Sequence, residues 1–244
     1  KEQVDLVEIV LDLDDDIKNI KVLVVEDIAL NQLLMKTLLD DFGFDRDIAA
    51  NGKIAIEKLH SKTYDIILMD LQMPEMNGFE ATQYIRNTMN SKIPIIALTA
   101  DVTTVDLAKC KAVGMNDYLS KPVKLAVLRD MLNRWIEPEE SATQQAHPVA
   151  SGPGPGNFVI DKDYLAELYE QIGNAAERMI AAFLEDLPRY LEQLQQALQT
   201  QDMAELARLA HTIKGAAANS GAGRLARLSL DEVVRRRRGE PRAQ

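Results

Sequence analysis

Four short apolar runs, each ending in polar or charged residues, most constrain what this chain can fold into. They are KVLVVED at 21–27, YDIILMD at 64–70, IPIIALTA at 93–100 and DYLSKP at 117–122. Amphipathic segments of about 10–14 residues lie between them, each long enough to form a helix. Strands that alternate with helices predict a parallel sheet that is covered by helices on both faces. We therefore expect an α/β domain over residues 20–137.

The ends of the predicted strands carry a set of residues suited to phosphate chemistry. In open parallel sheets, ligands bind at the carboxyl ends of the strands. Three carboxylates in one pocket repel each other unless a cation lies among them, and hard oxygen ligands suit Mg²⁺ or Mn²⁺. A phosphoryl group in transfer spreads negative charge over three oxygens, which the metal, an ammonium group and a hydroxyl group could stabilise. The residues at these strand ends are Glu26, Asp27, Asp70, Thr99 and Lys121.

A second motif, HTIKGAAANSG at 211–221, lies on a predicted amphipathic helix that begins near Asp202. Helical spacing places His211 about 200° around the helix from both Leu209 and Ile213, so we expect its ring to point to solvent. Lys214 lies one turn away on the same wet face. Gly215 leaves bare helix surface beside the ring, where a partner protein could approach closely. These features favour an imidazole that carries a phosphoryl group.

The first half of the chain resembles the response-regulator receiver domain. The resemblance rests on VVED at 24–27, on D-x-x-M-P-x-M-x-G at 70–78, and on LTA and Y-L-S-K-P further along. It implies a flavodoxin-like, doubly wound sheet of five parallel strands, with Asp70 as the phosphoacceptor and a cis Lys121–Pro122 peptide bond. Ile28 departs from the family, where many members have a polar residue. The other implied roles are metal binding by Glu26, Asp27, Asp70 and the carbonyl of Gln72, a switch formed by Thr99 and Tyr118, and phosphoryl contact by Lys121.

Residues 158–238 resemble the histidine phosphotransfer (Hpt) domain. The resemblance rests on A-H-x-I-K-G-A-A at 210–217, followed by Gly221 and apolar residues at 225 and 228. It implies an all-α helical bundle that carries the phosphohistidine, here His211, on an exposed helix face with Lys214 beside it. We expect helices at 161–172, 175–199, 202–219 and 223–238. The family normally adds one more helix, so we expect a C-terminally truncated bundle over 158–244 that is prone to self-association.

Composition divides the chain in the same way. Residues 138–157 are polar and rich in proline and glycine, which predicts a flexible linker, and residues 1–19 resemble the exit from an upstream domain. Lysine outnumbers arginine by 12 to 4 before the linker, whereas arginine outnumbers lysine by 10 to 2 after it. The two halves therefore have different histories, or the chain is an engineered fusion.

The net charge of −10 argues against general binding to nucleic acid or to anionic membranes. A single cysteine, Cys110, excludes an internal disulfide and fits a reducing cytoplasm. The sequence has no apolar run long enough to insert directly into a membrane. We expect a cytoplasmic chain, whose parent protein could be anchored in the inner membrane.

Together these patterns predict the C-terminal part of a hybrid sensor histidine kinase that works in a phosphorelay. The sequence has no glycine-rich ATP-binding motif, so we do not expect the chain to use ATP on its own. The expected partners are an upstream histidine kinase core and a downstream response regulator. One alternative is a non-catalytic module in which phosphorylation at Asp70 and His211 only switches docking. A metal hydrolase built on the same acids is a weaker alternative, since no pocket for an external substrate is indicated.

Overall fold

The computed structural model describes residues 20–99, 104–136 and 160–225, which form an α/β domain followed by a group of helices. The α/β domain contains β1 Lys21–Val25, α1 Ala29–Asp41, β2 Asp45–Ala49, α2 Gly52–Ser61, β3 Ile66–Asp70, α3 Gly78–Asn87, β4 Ile95–Thr99, α4 Thr104–Val113, β5 Asp117–Ser120 and α5 Leu125–Ile136. The helices that follow are α6 Lys162–Ile172, α7 Asn174–Gln199 and α8 Met203–Asn219.

The sheet has five parallel strands in the order β2-β1-β3-β4-β5, as the resemblance implied. Strands β3 and β4 are buried along their whole length, because helices cover both faces of the sheet. Four strands coincide with the four apolar runs. The fifth, β2, has the polar sequence DRDIA and lies at the edge of the sheet, so its sequence carries no apolar run.

Local side-chain hydrogen bonds fix where the helices begin. At α3, the Asn77 side chain accepts from the Glu80 amide and the Glu80 carboxylate accepts from the Asn77 amide, both at 3.0 Å. This reciprocal capping box fixes the path of the loop that leads from β3 into α3. At α8, the Asp202 carboxylate accepts from the amides of Ala204 and Glu205, which are otherwise unpaired donors of the first turn.

The three helices of the second domain begin and end within one residue of the predicted positions. Helix α7 packs against both α6 and α8. Most of the predicted fourth helix, residues 226–238, and the predicted linker at 138–157 lie outside the described residues, as does the segment 1–19. No helix in the described ranges is long and apolar enough to cross a membrane.

The two domains pack against each other through α1, which contacts α7 and α8. Buried residues of α1 cover an arc of about 180°, wider than the stripe of about 100° that suffices for a helix on one surface. One hydrophobic cluster includes Leu34 and Leu38 of α1 together with Met179 and Phe183 of α7. Helix α1 therefore buries residues both against the sheet and against the helical domain.

Candidate functional site

Charged residues meet at the carboxyl edge of the sheet. Carboxylate oxygens of Glu26, Asp27 and Asp70 lie within 4.8 Å of one another. The Lys121 ammonium donates to Glu26 Oε2 and to Asp70 Oδ2, both at 2.6 Å. Glu26 and Asp70 are almost fully buried, and the Lys121 side chain is only 3 % exposed. The strand-end argument from the sequence grouped five residues, and the structure brings four of them, Glu26, Asp27, Asp70 and Lys121, together here.

Burial governs the protonation of this cluster. It raises the pKa of Glu26 and of Asp70, although attraction to Lys121 opposes the rise in both. Burial, and next the neighbouring Glu26 charge, raise the pKa of Asp27 to about 6. For Lys121, burial favours the neutral amine, but Asp70 and Glu26 outweigh it and raise the pKa of the ammonium. Three acids and one ammonium leave a net negative charge that a cation would balance.

The three carboxylates fit a hard divalent cation. Asp27 Oδ1 is buried and has no hydrogen-bond partner among the described residues. A buried carboxylate oxygen without a donor costs free energy, which coordination to a cation would recover. An all-oxygen donor set of this kind matches the ligands of Mg²⁺ and Mn²⁺.

Asn31 is part of the site, although sequence reasoning did not identify it. Its Nδ2 donates to Glu26 Oε1 at 3.0 Å, and the Ile28 amide donates to the same oxygen at 3.2 Å. Asn31 is 2 % exposed on the buried face of α1, among Leu30, Leu34 and other apolar residues. A lone amide on an otherwise apolar helix face was the signal that could have indicated it.

Gly78 allows the motif that begins at Asp70 to close. A Cβ atom added at Gly78 would lie 2.2 Å from the Asp70 carbonyl oxygen, which no side chain tolerates. The Gly78 amide also donates to the Leu71 carbonyl at 3.1 Å. The start of α3 therefore packs directly on the backbone of the phosphoacceptor candidate.

The remaining predicted residues lie around this cluster. The Gln72 amide donates to Asp70 Oδ1 at 3.3 Å. Thr99 is the last residue of β4 and is buried, and its carbonyl accepts from the Lys121 amide at 2.7 Å. Tyr118 lies on β5 and is half-buried. It packs against the hydrophobic core on the face of the sheet opposite to α1. The Lys121–Pro122 peptide bond is cis, as the resemblance implied.

His211 lies on the face of α8 that is turned toward the α/β domain. Residues 208, 211, 215 and 219 follow one another at intervals of three or four, so they share one helix face. A Cβ atom at Gly215 would lie 3.3 Å from Ile28 Cδ1, and Asn219 Nδ2 donates to Asn31 Oδ1 at 2.6 Å. These contacts on one side of His211 direct its helix face toward β1 and α1.

Arg208, on the other side of His211, points to the same conclusion. Burial and then the Glu26 charge raise the pKa of Asp27, whereas the positive charge of Arg208 lowers it. The guanidinium of Arg208 therefore lies within electrostatic range of the acidic cluster, while it forms an ion pair with Glu205 at 2.6 Å. The contacts at Gly215 and Asn219, together with the charge interaction between Arg208 and Asp27, thus place the His211 face near the carboxyl edge of the sheet.

Two expectations about this helix face were wrong. His211 is only partly exposed, and its Nε2 atom has no solvent-accessible surface. Lys214, expected on a wet face, is 7 % exposed. Helical periodicity predicts only which face of an isolated helix a side chain lies on. It did not include the packing of α8 within the whole chain.

Comparison with known families assigns both domains. The family model for the response regulator receiver domain matches residues 22–133, and the model for the Hpt domain matches residues 178–234. The chain carries a receiver domain followed by an Hpt domain. The receiver domain contains the acidic cluster, and the matched Hpt segment contains His211. A chain with both domains belongs to phosphorelay signal transduction.

Several hybrid sensor proteins are similar to this chain across both domains. The sensor protein GacS of Pseudomonas syringae is 31% identical over 214 residues, which are 84% of this chain and 23% of that protein. The aerobic respiration control sensor protein ArcB of Escherichia coli is 29% identical over 212 residues, which are 86% of this chain and 27% of that protein. The chain therefore spans about a quarter of the length of these relatives.

A solved structure is similar to the receiver domain. It is the receiver domain of the sensor histidine kinase PA1611 from Pseudomonas aeruginosa, described with a magnesium ion in its active-site cleft. The two are 39% identical, and the match covers 48% of this chain and 98% of that chain with a TM-score of 0.45.

Proposed function

We propose that Asp70 accepts a phosphoryl group and exchanges it with His211, in the C-terminal part of a hybrid histidine kinase. The observation that carries this proposal is the juxtaposition of the cluster Glu26–Asp27–Asp70–Lys121 with the helix face of His211. An upstream kinase core would supply the phosphoryl group, and a downstream response regulator would receive it. We place these steps in the cytoplasm.

In the transfer step, an Asp70 carboxylate oxygen attacks phosphorus, and the phosphorus–nitrogen bond to the donor imidazole breaks. The electron pair of that bond stays on the imidazole, which takes up a proton. The reverse reaction moves the group from Asp70 to His211. Because the product is an acyl phosphate, Asp70 must be deprotonated to react, and the Lys121 ammonium 2.6 Å away favours the deprotonated form against the effect of burial.

Glu26, Asp27, Asp70 and the Gln72 carbonyl would hold Mg²⁺ or Mn²⁺, which when bound offsets the negative charge of the phosphoryl oxygens. The ammonium of Lys121 lies 2.6 Å from Asp70 Oδ2, and it is positioned to contact a phosphoryl oxygen. We assign the Thr99 hydroxyl and Tyr118 to the switch that reports phosphorylation. Lys214, near His211 on α8, would balance the charge of a phosphohistidine.

Metal-dependent labelling tests the assignment of the receiver site. A small labelled acyl phosphate should phosphorylate the chain in the presence of Mg²⁺ and should fail to do so in excess chelator. Asp70→Asn should abolish the labelling, and Asp27→Ala should reduce it strongly by removing a metal ligand. The exposed acid Glu57, on the outer face of α2, provides a matched control through Glu57→Ala, which should behave as the parent does. Full labelling in chelator would overturn the metal assignment.

A further inference from the structure

The β3–α3 loop, residues 71–77, is held at both of its ends and also near its middle. At its start, the Gln72 amide donates to Asp70 Oδ1 at 3.3 Å, and at its end Gly78 packs on the Asp70 backbone. Between these points the loop contacts the segment that joins β2 to α2, residues 49–52, which we call the β2–α2 segment. This segment supports the loop from outside the motif that contains Asp70.

Close packing at Gly52 forms the first contact between the β2–α2 segment and the loop. The Gly52 amide donates to the Met76 carbonyl at 3.1 Å. A Cβ atom added at Gly52 would lie 2.7 Å from Met76 Cγ, 2.8 Å from Ala81 Cβ and 2.9 Å from the Met76 carbonyl oxygen. Real side chains do not approach so closely, so any residue larger than glycine would displace the loop or the start of α3.

The Asn51 side chain forms the second contact. It is 5 % exposed, its Nδ2 donates to Glu75 Oε1 at 3.1 Å, and its Oδ1 accepts from the Ile54 amide at 3.0 Å as the N-cap of α2. Glu75 has a φ of 64°, in the left-handed region, which costs free energy for a residue with a side chain. The hydrogen bond from Asn51 helps to hold the loop in this conformation and couples it to the start of α2.

The other end of the β2–α2 segment contacts the acid pair. The Ala49 carbonyl accepts from the Glu26 amide at 3.0 Å, directly after β1. The segment therefore contacts the backbone on both sides of the acidic cluster, at Glu26 and at Met76. Because Mg²⁺ requires near-ideal octahedral geometry, a small displacement of one oxygen ligand weakens its binding.

We propose that the β2–α2 segment positions the metal-binding loop. Asn51 and Gly52 hold residues 71–77 in the conformation in which the Gln72 carbonyl joins the acidic cluster around a divalent cation. Both are positioning residues, which act through the loop and do not touch the cation. The inference rests on the metal site proposed above. Its consequence is that changes in the segment weaken metal binding but do not alter the chemical step once the metal is bound.

Binding of Mn²⁺ without a phosphodonor tests this proposal, with the free ion counted by electron paramagnetic resonance. Gly52→Ala should raise the dissociation constant about tenfold, as expected when the support of a metal ligand is displaced. Glu75→Ala should raise it about threefold, because the hydrogen bond that it removes is only partly buried. Glu75→Gln keeps an acceptor oxygen for Asn51 and should bind as the parent does. Parent-like binding in both alanine variants would overturn the proposal.

Two control variants separate loop position from stability and from surface charge. Gly43→Ala strains the backbone at a φ of 75°, at the opposite edge of the sheet, where a Cβ atom would meet nothing within 4 Å. Lys53→Ala removes the exposed partner of Glu75 at 3.4 Å and leaves the contact with Asn51. Both should bind Mn²⁺ as tightly as the parent. If Gly43→Ala weakens binding as much as Gly52→Ala does, lost stability explains the effect and the proposal is wrong.

Labelling of Asp70 by a small acyl phosphate separates positioning of the metal from a direct part in the reaction. In Gly52→Ala, the metal concentration that gives half of the maximal rate should rise by the same factor as the dissociation constant. The rate at saturating metal should equal that of the parent. A lower rate at saturating metal with an unchanged half-saturation would contradict the proposal. A parent that binds Mn²⁺ but is never labelled would contradict the role of Asp70, whereas the Mn²⁺ titration would still decide the role of the β2–α2 segment.

Discussion

The Lys121 ammonium lies between two buried carboxylates, 2.6 Å from Glu26 Oε2 and 2.6 Å from Asp70 Oδ2. Replacing it by alanine removes the ammonium that is hydrogen-bonded to Asp70 and favours protonation of Asp70, whose pKa burial already raises. We expect Lys121→Ala to lower the rate of Asp70 labelling by a small acyl phosphate on the order of 100-fold.

The control for this variant is Lys53→Ala, which removes an exposed lysine that pairs with Glu75 at 3.4 Å on the surface. It should label as fast as the parent. If Lys121→Ala also labels at the parent rate, Lys121 does not stabilise the phosphoryl group.

Asp27 should give the metal-free chain a distinct pH dependence of stability. Burial, and then Glu26, raise its folded pKa from 3.8 to about 6. Between these two values the folded state binds more protons at Asp27 than the unfolded state does, so this group lowers the free energy of unfolding as pH rises from about 4 to about 6. Above pH 6 its contribution is constant.

Urea unfolding in chelator, from pH 4 to pH 8, measures this dependence. Other acids titrate over the same range, so the informative quantity is the difference between the parent and Asp27→Asn. The variant should gain stability relative to the parent as pH rises toward 6, because it has no carboxylate to ionise there. A pH-independent difference would show that the Asp27 carboxyl group has an ordinary pKa.

The capping box at α3 supports the site at the scale of a secondary-structure element. Asn77 and Glu80 exchange two hydrogen bonds that hold the first turn of α3, and Gly78 in that turn packs on the Asp70 carbonyl. Asn77→Ala should destabilise the chain by about 1 kcal/mol, the usual loss for an N-cap side chain. Asn87→Ala, at the exposed end of the same helix, should change the unfolding free energy little. If Asn77→Ala and Asn87→Ala lower the unfolding free energy equally in thermal or urea unfolding, the Asn77 cap does not stabilise α3.

Most elements could be predicted from the sequence because their patterns are local. The apolar runs predicted β1, β3, β4 and β5, and the helix bounds predicted for the second domain agree with α6 to α8 within one residue at each end. Strand β2 could not be predicted in this way, since an edge strand with the sequence DRDIA is stabilised by pairing with β1 rather than by its own apolar residues.

The strand-end rule also predicted the grouping of Glu26, Asp27, Asp70 and Lys121, because it depends only on strand order and direction. It could not predict Asn31 or the burial of Lys214. The contacts of Asn31 depend on how α1 and α8 pack across 188 residues of sequence separation, as the Asn31–Asn219 hydrogen bond shows. The burial of Lys214 depends on the packing of α8 within the whole chain. Tertiary packing of this kind leaves no periodic signal within either helix.

At the scale of the whole molecule, the helix face that carries His211 and the edge of the sheet that carries Asp70 are turned toward each other. The acidic cluster lies at the carboxyl edge of the sheet, and the α8 face with His211 packs against the start of α1 at that edge. Relatives such as GacS and ArcB align with the chain through both domains. This arrangement is the one that the proposed transfer between Asp70 and His211 requires.

The most direct test of this account follows one phosphoryl group by the stability of its bond. The chain is labelled briefly with a small acyl phosphate and Mg²⁺, and samples are treated with acid or with base. The acyl phosphate at Asp70 is labile to base, whereas a phosphohistidine is labile to acid. In the parent we expect base-labile label first and acid-labile label later. The variant His211→Gln should keep only the base-labile label, and Asp70→Asn should remain unlabelled. Acid-labile label in His211→Gln, or in Asp70→Asn at the parent rate, would contradict the relay.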